Sequence, residues 1–366
     1  RTVLRKKPGE PASEMELQSF TQRLALLLTS HQATTFLIGE YTESEMRDNP
    51  VFTVADGLFL LSQVPERNSV VRKIQILKLR GQASVPGLHT IRIGDFGVQA
   101  FSRTLALGNA APASPGAARL STGVPDLDAL MGGGIPSGDS VLIAGPSGTG
   151  KSALATQFIA AGLRIGEPGV IAVFEERPAR YTARAESLGL DLATAQREGK
   201  LVILYLRPLD LSVDETMLEL LDTVRRMGAK RVVIDSLVGL EMALAPNFRA
   251  DYRESLYRMI AVLTGAGVTI LSTVEIEDSF TSFNFSHYAI SFLTDDIVRL
   301  RYVEIDGQLR KVLVVVKMRG SDHSKDIREY IIGDHGMVVI GPRLADYSAL
   351  TAGLPRRLRA LPPESL

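Results

Sequence analysis

None of the 366 residues is cysteine and none is tryptophan. The missing thiols exclude disulfides, cysteine-ligated zinc and thiol catalysis together. Net charge is missing as well: 41 basic residues balance 41 acidic ones, so the whole molecule has no field to draw it toward nucleic acid or an anionic membrane. A local DNA-binding patch stays open, but nothing in the overall charge favours it. No apolar run reaches the roughly 18 residues of a membrane span, and the N-terminus lacks the pattern of a signal peptide. These absences predict a soluble, cytoplasmic protein without a membrane partner. Residue 1 is Arg rather than Met, which predicts a trimmed or partial version of a longer product.

What is present is a globular composition, 45% hydrophobic, long enough for one large or two medium domains. From "VLIAGPSGTGKS" to "RVVIDSL", short β-rich apolar runs alternate with helical stretches, as in a parallel α/β sheet. The pattern predicts strands at 140–144, 170–174, 201–205, 231–235 and 268–273, with helices at 151–165, 178–188, 212–227 and 251–266. In "DIVRLRYVEIDGQLRKVLVVVKMRG" an Asp-Gly pair separates two alternating runs, the signal of an antiparallel hairpin, and "REYIIGD" supplies a third strand. The expected fold class is α/β, a phosphate-loop domain whose mainly parallel sheet ends in an antiparallel C-terminal extension.

The closing pattern also occurs near the N-terminus. "KLRG" at 78–81 is a reduced copy of the start of "KMRGSDHSKD" at 317–326, an offset of 239 residues, and at that offset "IRIGDFG" (91–97) underlies "YIIGDHG" (330–336). A helix "SEMELQSFTQRLALLLTSH", a strand "TTFLIGEY" at 34–41 and the apolar segment "PVFTVADGLFLLSQV" precede it, in the order of the second copy. The chain therefore reads as an internal duplication. The first copy has no counterpart of residues 121–248, hence no phosphate loop, and must lean on segments absent from this chain, on the second copy or on another subunit. The expected boundaries are 1–103 for this partial domain, 104–118 for an Ala/Pro/Gly-rich linker, 119–343 for the complete domain, and 344–366 for a basic-apolar tail, either mobile or a docking peptide.

"GPSGTGKS", Gly145 to Ser152, is G-x-x-x-x-G-K-[ST] between an apolar strand and a helical segment. Its glycines let backbone N–H groups curl round phosphate oxygens, Lys151 reaches the terminal phosphates, and the Ser152 hydroxyl ligates Mg²⁺. Asp235, at the end of "RVVID", is placed to hold the Mg²⁺ or its water. Glu175 and Glu176 in "VFEERP" lie at the tip of the next strand after the loop. Two readings of them stay open: water activation beside the phosphates, or an acidic pair favoured by the helix that follows at Pro178. Arg249, Arg253 and Arg258 fall at helical spacing, as a solvated helix face or as cations acting in trans on phosphate. His287 and Tyr288 sit in a loop where packing and polymer contact both fit.

Taken together, "RLSTGVPDLDALMGGGIPSGDSVLIAGPSGTGKS", "FEERP", "VVIDSL" and "VVKMRGSDHSKDIREYIIGDHG" resemble the KaiC family, circadian-clock ATPases and autokinases of the RecA-like superfamily. The resemblance covers residues 119–341 and, in the first copy, about 16–101. It implies a RecA-like fold and two tandem domains assembling into hexameric double rings, with ATP between neighbouring subunits. It implies that Ser147, Gly148, Thr149, Gly150, Lys151, Ser152 and Ala153 hold ATP and that Ser152 holds Mg²⁺, to which the residue reading adds the carboxylates of Glu175 and Asp235. Glu175 and Glu176 match the family's catalytic glutamate pair, acting with Lys151. Lys317, Met318, Arg319, Ser321, His323 and Lys325 would reach the ATP of the next subunit. Leu188 stands where the family stacks an aromatic on adenine. The clock members phosphorylate a Ser-Thr pair; here "AISFLTDD" offers Ser291, with Thr294 nearby, while Phe292 replaces the threonine. The leading expectation is a KaiC-like ATPase with Ser/Thr autokinase activity, a homo-oligomeric switch read by a protein signalling partner. The competing classes are a DNA-dependent ATPase of the RecA/RadA type, disfavoured by neutral charge and absent cysteines, and a non-catalytic ATP-dependent scaffold.

Overall fold

The computed structural model of the chain describes residues 14–42, 46, 49, 51–66, 69–95, 97–102, 118–206, 212–244, 252–276, 293–333, 339–350 and 355–358. Arg249, His287, Tyr288, Ser291, Phe292 and nearly all of the expected linker lie outside the described residues. The chain divides into two units, residues 1–63 with 72–100 and residues 64–71 with 101–366.

The N-terminal part runs α1 (Glu14–Ser30), a single turn α2 (Val51–Val54), then β1 (Gly57–Glu66), β2 (Ser69–Leu79), β3 (Leu88–Gly94) and β4 (Gly97–Phe101), which form a sheet in that order. The strand expected at 34–41 does not form. Those residues carry no secondary structure, and Phe36, Leu37 and Ile38 are 75%, 59% and 96% exposed.

In the second unit a two-residue ladder, β5 (Arg119–Leu120) with β6 (Ile135–Pro136), flanks α3 (Pro125–Leu130). There follow β7 (Ser140–Gly145), α4 (Lys151–Arg164), β8 (Gly169–Val173), α5 (Pro178–Ser187), α6 (Leu192–Arg197), β9 (Leu201–Tyr205), α7 (Val213–Met227), β10 (Arg231–Asp235), α8 (Leu237–Ala243), α9 (Tyr252–Gly265) and β11 (Thr269–Glu275). The chain closes through β12 (Asp296–Ile305), β13 (Gln308–Lys317), β14 (Arg328–Ile331) and β15 (Val339–Arg343). One sheet takes the order β15-β14-β13-β12-β7-β11-β10-β8-β9. Its strands are parallel from β12 to β9 and antiparallel from β12 to β15. All five predicted parallel strands are present.

Burial on both faces explains why these strands are apolar throughout. On β7, Leu142 and Ala144 join the core beneath α7, α8 and α9, while Val141 and Ile143 join Leu154, Phe158 and Ile159 of α4 on the other face. α7 shows how local chemistry sets an element: Ser212 caps it by accepting from the Glu215 amide, Asp214 and Glu215 fill its first turn, Arg225 and Arg226 its last, and Gly228 closes it. Arg258 is not on a solvated face. It is buried between α9 and α7, 3.0 Å from Asp214, with side chains 7% and 9% exposed. The start of the expected tail is also anchored, since Leu350 is buried against Val303, Ile305 and Val312.

The 239-residue offset also holds in hydrogen-bond register. Lys73 and Ile74 of β2 pair with Thr90 and His89 of β3, and 239 residues later Val312 and Leu313 of β13 pair with Glu329 and Arg328 of β14. The missing strand at 34–41 follows from the same comparison. Its counterpart β11 lies between β7 and β10, and the first copy has no residues matching those two neighbours. Without a ladder on either side, an extended segment keeps its backbone groups on water.

Candidate functional site

The carboxyl ends of β7, β8, β10 and β11 meet at one edge of the sheet, where ligands bind in open α/β folds. β7 stops at Gly145 and the chain turns through Pro146 to Gly150 into α4. Gly148 and Gly150 have φ of 75° and 95°, a region that favours glycine. A Cβ on Gly150 would run into Ile332, and one on Gly148 would come within 2.8 Å of the Tyr302 hydroxyl. No side chain caps the start of α4, so its first amides face the loop. From β14, the Tyr330 hydroxyl donates to the Thr149 carbonyl at 2.6 Å. Burial raises the Tyr330 pKa and keeps that donor protonated.

Lys151 Nζ donates to the carbonyls of Gly145 and Pro146, each at 2.8 Å. Burial lowers its pKa, opposed by the charges of Glu275, Asp235 and Glu175. Asp235 Oδ1 accepts from Thr273 Oγ1 at 2.6 Å. Glu175 Oε1 accepts from Ser236 Oγ at 3.2 Å. Glu176 turns toward α5 and pairs with Arg184 at 2.8 Å. Ser152 and Ala153 open α4 beside Lys151, and Ser147 is exposed in the loop. Loop, lysine, Glu175 and Asp235 thus converge at this edge. Sequence reasoning does not reach Thr273, Ser236, Glu275, Arg184, Tyr302 and Tyr330, because they are spread over several elements and none falls inside a phosphate-binding motif.

The residues 317–325 lie elsewhere. Lys317 pairs with Ile297, which pairs with Leu142, so the hairpin ends toward the start of β7 and about 10 Å along the strand from Gly145. Lys317 Nζ donates to the Thr294 carbonyl, and Arg319 pairs with Asp295 at 2.9 Å. Burial lowers the Lys317 pKa, helped by Arg319 and opposed by Asp295 and Asp296. Met318 is buried, and the Ser324 amide donates to Leu130 O. Ser321 Oγ and His323 Nδ1 are buried without a hydrogen bond, and Lys325 is exposed. The first copy repeats this staple: Lys78 Nζ donates to Thr53 O and Arg80 pairs with Asp56, each at 3.0 Å. Asp56 and Arg80 precede Asp295 and Arg319 by the same 239 residues.

A phosphate loop on β7, an acidic strand end on β10 and a strand between them define a RecA-like P-loop ATPase domain. The KaiC ATPase family model matches residues 120–344, and the chain belongs to that family. It is 30% identical over 343 residues to the circadian clock oscillator protein KaiC of Prochlorococcus marinus (strain MIT 9313), a match covering 94% of this chain and 67% of that protein. The circadian clock oscillator proteins KaiC of Picosynechococcus sp. (strain PCC 7002) and Parathermosynechococcus lividus are each 29% identical, over 97% and 95% of this chain and 67% and 63% of their own lengths. The chain spans about two thirds of the length of these relatives. Among the described residues, no helix is long and apolar enough to cross a membrane.

Proposed function

We propose that this chain binds ATP with Mg²⁺ and hydrolyses it, as a nucleotide-driven homo-oligomeric switch in the cytoplasm. The observation that carries the reading is the convergence of an uncapped helix start, Lys151, Glu175 and Asp235 at one sheet edge. In this reading the 147–153 amides and Lys151 hold the phosphates. Ser152 and Asp235 would hold Mg²⁺, and Glu175 would meet it through bound water. A hydroxyl and carboxylates are hard oxygen donors and suit Mg²⁺, an ion that keeps waters and shares phosphate oxygens. Bound there, Mg²⁺ would supply charge neutralisation for the transferred phosphoryl group. Glu175 accepts the proton of the attacking water, with Glu176 beside it.

Lys317, Met318, Arg319, Ser321, His323 and Lys325 serve the ATP of the next subunit in a hexameric ring. Support comes from their position toward the end of β7 remote from its own loop. The N-terminal part is then a partial copy of the ATPase domain. Autokinase activity is the narrower branch, with Ser291 as acceptor. Thr294 is a poor acceptor, because its Oγ1 is buried.

Replacing both Glu175 and Glu176 with Gln is expected to abolish turnover and spare ATP binding, and unchanged hydrolysis would contradict the assignment. Intact-mass analysis after incubation with Mg-ATP checks the kinase branch: absence of phosphate at 286–296 leaves the ATPase alone. Native mass with and without ATP checks the ring.

A further inference from the structure

Glu175 and Glu176 are adjacent and chemically identical, yet the fold surrounds them differently. Glu175 is exposed, bonded to Ser236, and its charge reaches Lys151. Glu176 has both oxygens directed at α5: Oε2 lies 2.8 Å from Arg184 Nη2, and Oε1 lies 3.6 Å from Arg180 Nε. Arg184 is itself held in place. Its guanidinium lies 4.6 Å over the ring of Tyr181, and its Nη2 stands 3.9 Å from Asp235 Oδ2. Tyr181 is fully buried, with its hydroxyl 3.0 Å from Thr156 Oγ1, and Thr156 donates to the Ser152 carbonyl at 2.7 Å. The guanidinium thus rests on a ring tied to the phosphate-loop helix. Side-chain exposures of 36% for Arg184 and 24% for Glu176 leave the pair only partly screened. A carboxylate keeps lone pairs when it accepts from a guanidinium, but the charge-assisted bond ties Glu176 to α5 and must break before the group can turn to another partner.

We propose that Arg184 is a positioning residue that splits the glutamate pair, retaining Glu176 as its counter-ion and leaving Glu175 as the member of the pair free to take a proton at the phosphate loop. The inference rests on the hydrolytic reading of this site and makes it narrower: the two glutamates do unequal work. With Arg184 gone, Glu176 is released beside Glu175 and Asp235, where it crowds the base and competes for the same water.

The test uses the full chain carrying Arg184→Gln, Arg184→Lys, Glu175→Gln, Glu176→Gln or the double change Arg184→Gln/Glu176→Gln. Steady-state hydrolysis gives kcat and KM, a fluorescent N-methylanthraniloyl-ATP gives nucleotide affinity, and thermal melting reports folding. Glu175→Gln is expected to lower kcat about 100-fold or more. Arg184→Gln should lower kcat about tenfold while probe affinity stays within about twofold, and Arg184→Lys should recover most of the loss. Because one pair is removed in either case, the double variant should be no slower than Arg184→Gln. The inference is overturned if Glu176→Gln costs as much as Glu175→Gln, if the effects at 176 and 184 multiply, or if the loss in Arg184→Gln tracks melting temperature or probe affinity. Normal turnover in Glu175→Gln would instead remove the hydrolytic reading, and the inference with it.

Discussion

At Gly150 one hydrogen atom in place of a methyl group lets the phosphate loop pass. The residue combines a φ of 95° with contact against Ile332, so a side chain there meets both backbone strain and steric overlap. The left-handed conformation alone costs an L-residue about 1–2 kcal/mol. Gly150→Ala is therefore expected to weaken ATP binding by about tenfold or more, measured by calorimetric titration, and unchanged affinity would contradict the geometry. The glycine itself was legible, because it stands in a contiguous motif. Its neighbour Ile332 was not, since nothing local connects two positions so far apart in the chain. Arg258 teaches the same point in reverse. Helical spacing suggests a solvated arginine, whereas α7 brings Asp214 to meet it in the interior, where a lone charge would be costly.

Elements carry the loop as much as residues do. β14 belongs to the antiparallel extension, yet its Tyr330 reaches back across the sheet edge to the Thr149 carbonyl. Tyr330→Phe keeps the packing and deletes one hydrogen bond, a loss of about 0.5–1.5 kcal/mol. The expected outcome is a several-fold rise in KM for ATP with kcat little changed; a variant with wild-type KM would show that this strand does not steady the loop. The repeated hairpins, β1 with β2 and β12 with β13, each end in a lysine bonded to a backbone carbonyl and an arginine paired with an aspartate. Such partly exposed pairs contribute about 0–1 kcal/mol, enough to orient the hairpin end but too little to hold a fold. Recurrence of "KLRG" therefore has a structural cause that does not require a nucleotide in the first copy.

For the molecule as a whole, acidity acts through the edge of the sheet opposite the loop. Asp139, Asp295 and Asp296 gather where β7 and β12 begin, facing Lys317, Arg319 and Arg119. Burial raises Asp139 to about 6, with Asp295 adding to the effect. Burial also raises Asp296 to about 7, reinforced by Asp139 and Asp295. Both values stand above that of an aspartate in the unfolded chain, so the folded protein binds protons that the unfolded chain has released. The stability these groups contribute is complete below the unfolded value and is lost as pH rises through about 6 and about 7. Asp296→Asn should accordingly raise the melting temperature relative to the parent at pH 8, with the difference shrinking toward pH 5. Parallel melting curves across that range would contradict it.

The sequence alone determined what contiguous residues can determine. Alternating apolar runs marked the parallel strands, "GPSGTGKS" marked the loop, Asp-Gly marked the hairpin, and an offset of 239 residues marked two segments whose ladder register is the same. Tertiary structure decided what depends on strand order. A segment as apolar as 34–41 stays unpaired because a strand needs neighbours, and no local pattern says whether they exist. Thr273 meets Asp235 because β11 lies beside β10, and Arg184 meets Glu176 because α5 turns back over the end of β8. Periodicity can place a charge on a helix or at a strand tip. Only the packing of one element against another selects its partner, and here that choice divides two adjacent glutamates.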